Sequence, residues 1–194
     1  MDVIRVMKYF FAFPYLGGIL VVASFFFPVA SFFNPNWFGD PSYSIWMWGL
    51  LGTVKWAFHG TWYWWTEYSV IPYTPMLIFG FICCFLIIFF AVKTVLAARK
   101  IGDQEKFLDD IRFVKYSGVI LATTIIWMIL IEIIYSIYGF IDYSPVFSFW
   151  GQFNIQFGIN GIFLGASLPI LGFVLTKIFY KRYDYLFYKE EEDE

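Results

Sequence analysis

Residues 76–92 read MLIFGFICCFLIIFFAV, an apolar run without one charged side chain, and the charge-free interval around it extends over 68–92. A segment needs about 20 mostly apolar residues to cross the hydrocarbon core of a bilayer. Three other stretches meet that length. Residues 9–39 and 143–176 carry no Asp, Glu, Lys or Arg, and 116–141 is interrupted only by Glu132. Each can cross once and none can cross twice with a turn. The spans are therefore placed near 9–31, 74–97, 115–139 and 158–180. Arg5 and Lys8 before the first give it the look of a secretory leader. Its apolar run outlasts a leader's usual length, so it is read as a retained span, kinked by Pro14.

The composition agrees. Of 194 residues, 60% are hydrophobic and 14% charged, against about a quarter charged in soluble domains. The net charge of −2 favours neither nucleic acid nor an acidic substrate. One histidine, His59, and the adjacent pair Cys83 and Cys84 cannot supply a His-rich metal site, a zinc ribbon or a disulfide framework. Cys83 and Cys84 lie in the second span, about 100° apart around a helix, and read as small packing residues.

Orientation follows from Lys and Arg, which gather in cytoplasmic loops. Arg5 and Lys8 precede the first span. Lys93, Arg99, Lys100, Lys106, Arg112 and Lys115 surround the second connection, and Lys177, Lys181, Arg182 and Lys189 close the chain. Only Lys55 lies on the other side. Both termini and the 98–114 loop are thus expected to be cytoplasmic, with loops 32–73 and 140–157 outside, in a multi-pass protein of the cell (plasma) membrane. Within 98–114, Asp103 suits the cap of a helix from Gln104, with Phe107, Leu108, Ile111 and Val114 along one apolar stripe. The acidic tail, 183–194, ends in EEEDE, a run that reads as disordered.

Two features inside the spans stand out. Gly158, Gly165 and Gly172 recur every seven residues, and Gly161 forms GxxxG with Gly165. One helix face is therefore stripped of side chains, which lets backbones approach in lipid. That face packs within the bundle or against another membrane protein or a second copy. On the second reading, Gly165→Leu breaks a larger complex. Pro169 on the same helix bends it. Glu132 is the one acid inside a span, and buried membrane carboxylates are candidates for function. Tyr135, Ser136 and Met128 lie one turn away, and Asn160, Gln156 and Thr124 are further candidate neighbours. Glu132 is then a hydrogen-bonded structural acid, the contact for a charged partner subunit, or a carrier of protons or ions. No internal repeat or second acid supports transport by this chain alone.

Seven tryptophans, Trp37, Trp46, Trp48, Trp56, Trp62, Trp64 and Trp65, fall in the 32–73 loop with Tyr43, Tyr63, Tyr68 and Tyr73. Such rings favour the membrane–water interface, so the loop reads as an aromatic cap, helical or β. Pro72 and Pro75 open the second helix. His59 and Glu67 do not amount to a metal site or an acid–base pair with a nucleophile. HExxH, GxSxG, CxxC and P-loop motifs are absent. The expectation is a protein that is not an enzyme and has no catalytic, cofactor-binding or metal site.

Four spans, inside termini, a long first outer loop and a short second one, with Trp37 followed by Trp48-Gly49-Leu50-Leu51, resemble the claudin-like four-span superfamily. Trp48-Gly49-Leu50 is similar to that family's first-loop tryptophan signature. The resemblance implies a small β-sheet over the bundle and a role in cell–cell barriers or as an auxiliary channel subunit. The paired loop cysteines of the family are missing here, since 52–73 contain none.

The sequence thus predicts an all-α membrane protein, a four-transmembrane-helix bundle with an aromatic outer cap, forming one domain. Its expected role is structural, assembly or accessory, beside lipid and other membrane proteins or itself. The competing expectation is a small subunit of a transporter, channel or energy-converting complex with Glu132 in its ion or proton path.

Overall fold

A computed structural model describes residues 10, 12–32, 42–58, 62–70, 74–99, 111–138 and 148–192, with backbone alone at 42, 54–58, 62–66, 70, 138, 152 and 180–192. The chain is mostly helical. Three helices are long and apolar enough to cross a membrane: α2 (Thr74–Arg99), α3 (Arg112–Tyr138) and α5 (Phe157–Glu192), the last over Phe157–Phe179. At 1.5 Å per residue, 26 residues extend about 39 Å, more than the roughly 30 Å hydrocarbon core. They lie within a few residues of the expected second, third and fourth spans. α5 continues to Glu192, so Glu190, Glu191 and Glu192 of the EEEDE run expected to be disordered are helical.

The first expected span, 9–31, differs. Among the described residues it forms α1 (Phe13–Ser24), only 12 residues, about 18 Å long. Beyond it the chain turns at Phe25–Phe27 and enters β1 (Ala30–Phe32). Pro14 sits in the first turn of α1 rather than within it, where its missing N–H costs nothing; the expected kink there is corrected. Pro75 likewise opens α2, whereas Pro72, the 100–110 segment with its expected amphipathic helix, Trp37 and His59 lie outside the described residues.

The 32–73 and 140–157 regions are not mere loops. The remaining strands are β2 (Ser42–Ile45), β3 (Leu50–Phe58), β4 (Trp62–Val70) and β5 (Asn154–Ile155). With β1 they form one antiparallel sheet ordered β4-β3-β2-β1-β5. Branched and aromatic residues in LLGTVKWAF and WYWWTEYSV suit a pleated surface. The β2–β3 turn is Met47-Trp48-Gly49, closed by Gly49 N–H donating to the Trp46 carbonyl and by Trp46 N–H donating to Leu50. Gly49 has φ of 94°, the left-handed conformation that such a three-residue hairpin requires of its last position. The Trp48-Gly49-Leu50 motif is therefore this hairpin's tip and its exit into β3.

The helices close a ring in the order α1, α2, α3, α5 and back to α1. Val21, Ile87, Ile120, Trp127, Ile131, Ile159 and Ile162 fill it, and the same core continues through Val29, Ala30, Ile45, Met47 and Met76 beneath the sheet. Outside the ring, Phe81, Phe85, Ile126, Ile129, Leu164 and Ile178 are exposed. So much contiguous apolar surface is far beyond what a water-soluble monomer presents; hydrocarbon is its natural surrounding.

Candidate functional site

The joint between sheet and helices is built on the short helix α4 (Phe149–Gln152), which the sequence reading missed. The first N–H groups of any helix lack partners in that helix. Here Ser148 caps α4, its Oγ accepting from Gly151 N–H at 3.0 Å. Trp150 N–H donates to Glu132 Oε2 at 3.1 Å. Glu132 is thus a second cap, delivered from α3 to the first turn of α4. The Trp150 indole Nε1 donates to the Met128 carbonyl, one turn earlier on α3, at 3.1 Å. Glu132 and Met128 therefore hold one residue by its main chain and its side chain.

Ser136, Thr124 and Gln156, three of the neighbours expected for the carboxylate, hydrogen-bond elsewhere, whereas Tyr135 interacts electrostatically with Glu132. Ser136 Oγ donates to the Glu132 carbonyl, Thr124 donates to Ile120, and Gln156 Nε2 donates to Ser31 Oγ. Tyr135 packs its ring edge-on against Phe149 and Phe153, with centroids 5.4 and 6.3 Å away, and Asn160 is exposed. Glu132→Ala leaves Trp150 N–H without its acceptor and is expected to cost about 1–3 kcal/mol of stability. Glu132→Gln keeps an acceptor oxygen and should retain most of it. Thermal unfolding in mild detergent checks both; equal damage from Gln and Ala would argue against the cap.

The glycine face of α5 is turned towards α1. A Cβ on Gly158 would meet the Pro28 and Phe27 carbonyl oxygens at 2.7 and 2.8 Å, one on Gly161 would strike Ser24 Oγ, and one on Gly172 would lie 3.0 Å from the Phe10 carbonyl. Gly165 and Gly17 face each other reciprocally. The hydrogen in place of a Cβ on each points at the other's carbonyl, the Gly17 oxygen lying 2.7 Å from the Gly165 Cβ position. Pro169, four residues on, has no N–H to offer the Gly165 carbonyl, so that oxygen is free to accept a weak Cα–H contact. All four glycines are buried, and this face is occupied within the chain.

Of the loop tryptophans, Trp46 bridges sheet and helix. Its Nε1 donates to the Phe26 carbonyl at 3.3 Å, and its ring meets Tyr68 edge-on at 6.1 Å above the bare surface of Gly52. Trp48 is exposed at the hairpin tip. Trp56 and Trp64 are register partners across β3 and β4, as are Lys55 with Trp65 and Phe58 with Trp62. Glu67 is exposed on β4. Cys83 and Cys84 are buried thiols. Among the described residues, no three His, Cys, Asp or Glu side chains come together. Two buried polar atoms, Ser117 Oγ and Trp127 Nε1, have no hydrogen-bond partner there.

Ser148 before an aromatic pair was the local signal for α4, because serine is a strong N-cap. Nothing local announced that Glu132 would reach Trp150, which lies 18 residues away. Compared with known proteins, the chain matches no family model, no curated protein and no solved structure.

Proposed function

We propose that this is a four-span integral membrane protein of the plasma membrane with a non-catalytic structural, assembly or accessory role. In this reading α1 belongs to the first crossing. Both termini are cytoplasmic and the sheet lies outside. The observation that carries it is the way buried hydroxyls are used. Thr94, Thr124 and Thr176 each donate to the carbonyl four residues back on their own helix. That is how a packed bundle satisfies polar groups, and these three bonds, each within one helix, link no two helices. Glu132 as a cap favours the structural reading over an ion or proton path. The claudin-like resemblance adds support, since strands from the 32–73 region build most of the sheet.

With the glycine face covered by α1, lateral association with partners or a second copy falls to the lipid-facing surfaces. Mild-detergent extracts should show the chain in an assembly larger than its own 22.9 kDa; a lone chain by native mass would overturn the accessory role. For topology, both native cysteines are buried, so an introduced one reports cleanly. A membrane-impermeant maleimide on intact cells should label Tyr68→Cys, on the exposed part of β4, and not Lys189→Cys. The reverse pattern would invert the orientation.

A further inference from the structure

At the end of the ring far from the sheet, Lys93, Arg99 and Arg112 line one cavity of about 320 Å³ with Leu96, Ala97 and Tyr116. Beside it an apolar groove of about 400 Å³ runs between α1 and α2, along Gly18, Val22, Ala91, Val95 and Leu96. Leu96 lines both, so the cationic cavity and the groove are adjoining parts of one surface. Gly18 lets α1 and α2 close on one another at the floor of the groove, since a Cβ there would strike Val95 Cγ2 and lie 3.0 Å from the Ala91 carbonyl oxygen.

Lys93 makes the arrangement unusual. It is exposed and stands six residues before the end of α2, hence about 9 Å along the axis from Arg99. Helical side chains lean towards the N-terminus, and its Nζ rests over the Phe89 ring at 5.4 Å. An ammonium on the exposed flank of so apolar a helix calls for an anion. Basic pockets between membrane helices suit phosphate-bearing headgroups.

We propose that this surface binds an anionic phospholipid, with its phosphate held by Lys93, Arg99 and Arg112 and an acyl chain laid in the groove beside Leu96. The inference rests on α2 being a membrane span and is independent of the assembly role. Arginines grip the phosphate oxygens through paired N–H donors, and the groove supplies contact for a chain that a free anion lacks.

The test is native mass spectrometry of the full chain from mild detergent, titrated with phosphatidylglycerol or phosphatidylcholine of equal chain length. Phosphatidylglycerol should be retained about tenfold better, and the triple variant Lys93→Gln/Arg99→Gln/Arg112→Gln should lose that preference while keeping the wild-type melting temperature. If that variant unfolds, the single variants Lys93→Gln and Lys93→Arg decide: Gln should weaken the preference and Arg retain it. Equal retention of the two lipids by the wild type, or an unchanged preference in the glutamine variants, overturns the site. Displacement of the lipid by millimolar inorganic phosphate would assign the cavity to a free anion instead, overturning the lipid. A chain that fails to enter membranes at all would instead refute insertion of α2.

Discussion

Gly165→Leu is expected to pry α1 from α5 and to cost the folded protein about 3 kcal/mol or more, the upper range for overpacking a close-fitted contact. The reason is the hardness of what surrounds it. A Cβ there would lie 2.7 Å from the Gly17 carbonyl oxygen, 2.9 Å from the Val21 nitrogen and 2.8 Å from Val21 Cγ2. Two of those atoms are backbone and cannot rotate away, so the helices must separate. Separation also ends the reciprocal Gly17–Gly165 contact and exposes Ser24, packed over Gly161. On the sequence reading that gives this face to a partner, the substitution would break a larger complex; with α1 on the face, its effect falls within the single chain. Gly118 is the matched control, because nothing lies within 4 Å of a Cβ there and the residue is exposed. Gly118→Ala should be neutral or slightly stabilising, since alanine is the better helix former. Thermal unfolding of both variants in one detergent makes the comparison, and a Gly165→Leu melt equal to wild type would refute the packing.

Phe149→Ala should be as damaging, at about 3–5 kcal/mol for an aromatic removed from a filled core. Phe149 is fully buried. Its ring stacks on Phe153 at 4.4 Å with planes 7° apart, and meets Trp150 and Tyr135 edge-on at 4.7 and 5.4 Å. Removing it leaves a cavity bounded by rings that cannot collapse together, because α4 is tied at Glu132 and at Met128. The loss should spread along the chain. Gln156 N–H donates to the Val29 carbonyl at 2.9 Å and Ile155 pairs with Ala30, and only Phe153, stacked on Phe149, separates α4 from β5. Hydrogen exchange at Ile155 and Gln156 should rise by orders of magnitude in the variant. Protection there equal to wild type would show that β5 holds to β1 without the aromatic cluster.

The three long helices were legible because apolarity over about 20 residues is a local property that any window reads. MLIFGFICCFLIIFFAV could be little else, and α2 begins where Pro75 allows it. The sheet was half legible. LLGTVKWAF and WYWWTEYSV, separated by a short stretch with Gly60, carry the composition of a hairpin. Their aromatics also fit an interfacial cap, and that ambiguity hid them. β5 could not be read at all, because two residues form a strand only when β1, more than a hundred positions earlier, presents its edge.

Glu132 shows the same division at the level of one side chain. Its isolation among apolar residues was plain in the sequence, and marked it as costly and in need of a partner. Which partner depended on a 3.1 Å approach between α3 and α4 that no spacing rule encodes. The glycine repeat likewise announced a close helix contact without saying with what. By itself, then, the sequence determined which segments are apolar enough to enter a bilayer, where glycines permit contact and where charge is scarce, since these are sums over neighbours in the chain. Only the tertiary structure decided that α1 fills the glycine face, that a main-chain N–H satisfies Glu132, and that Lys93, Arg99 and Arg112 share one cavity. Each of those is a meeting of groups far apart in sequence, and it is settled by how the helix ring and the sheet close on one another.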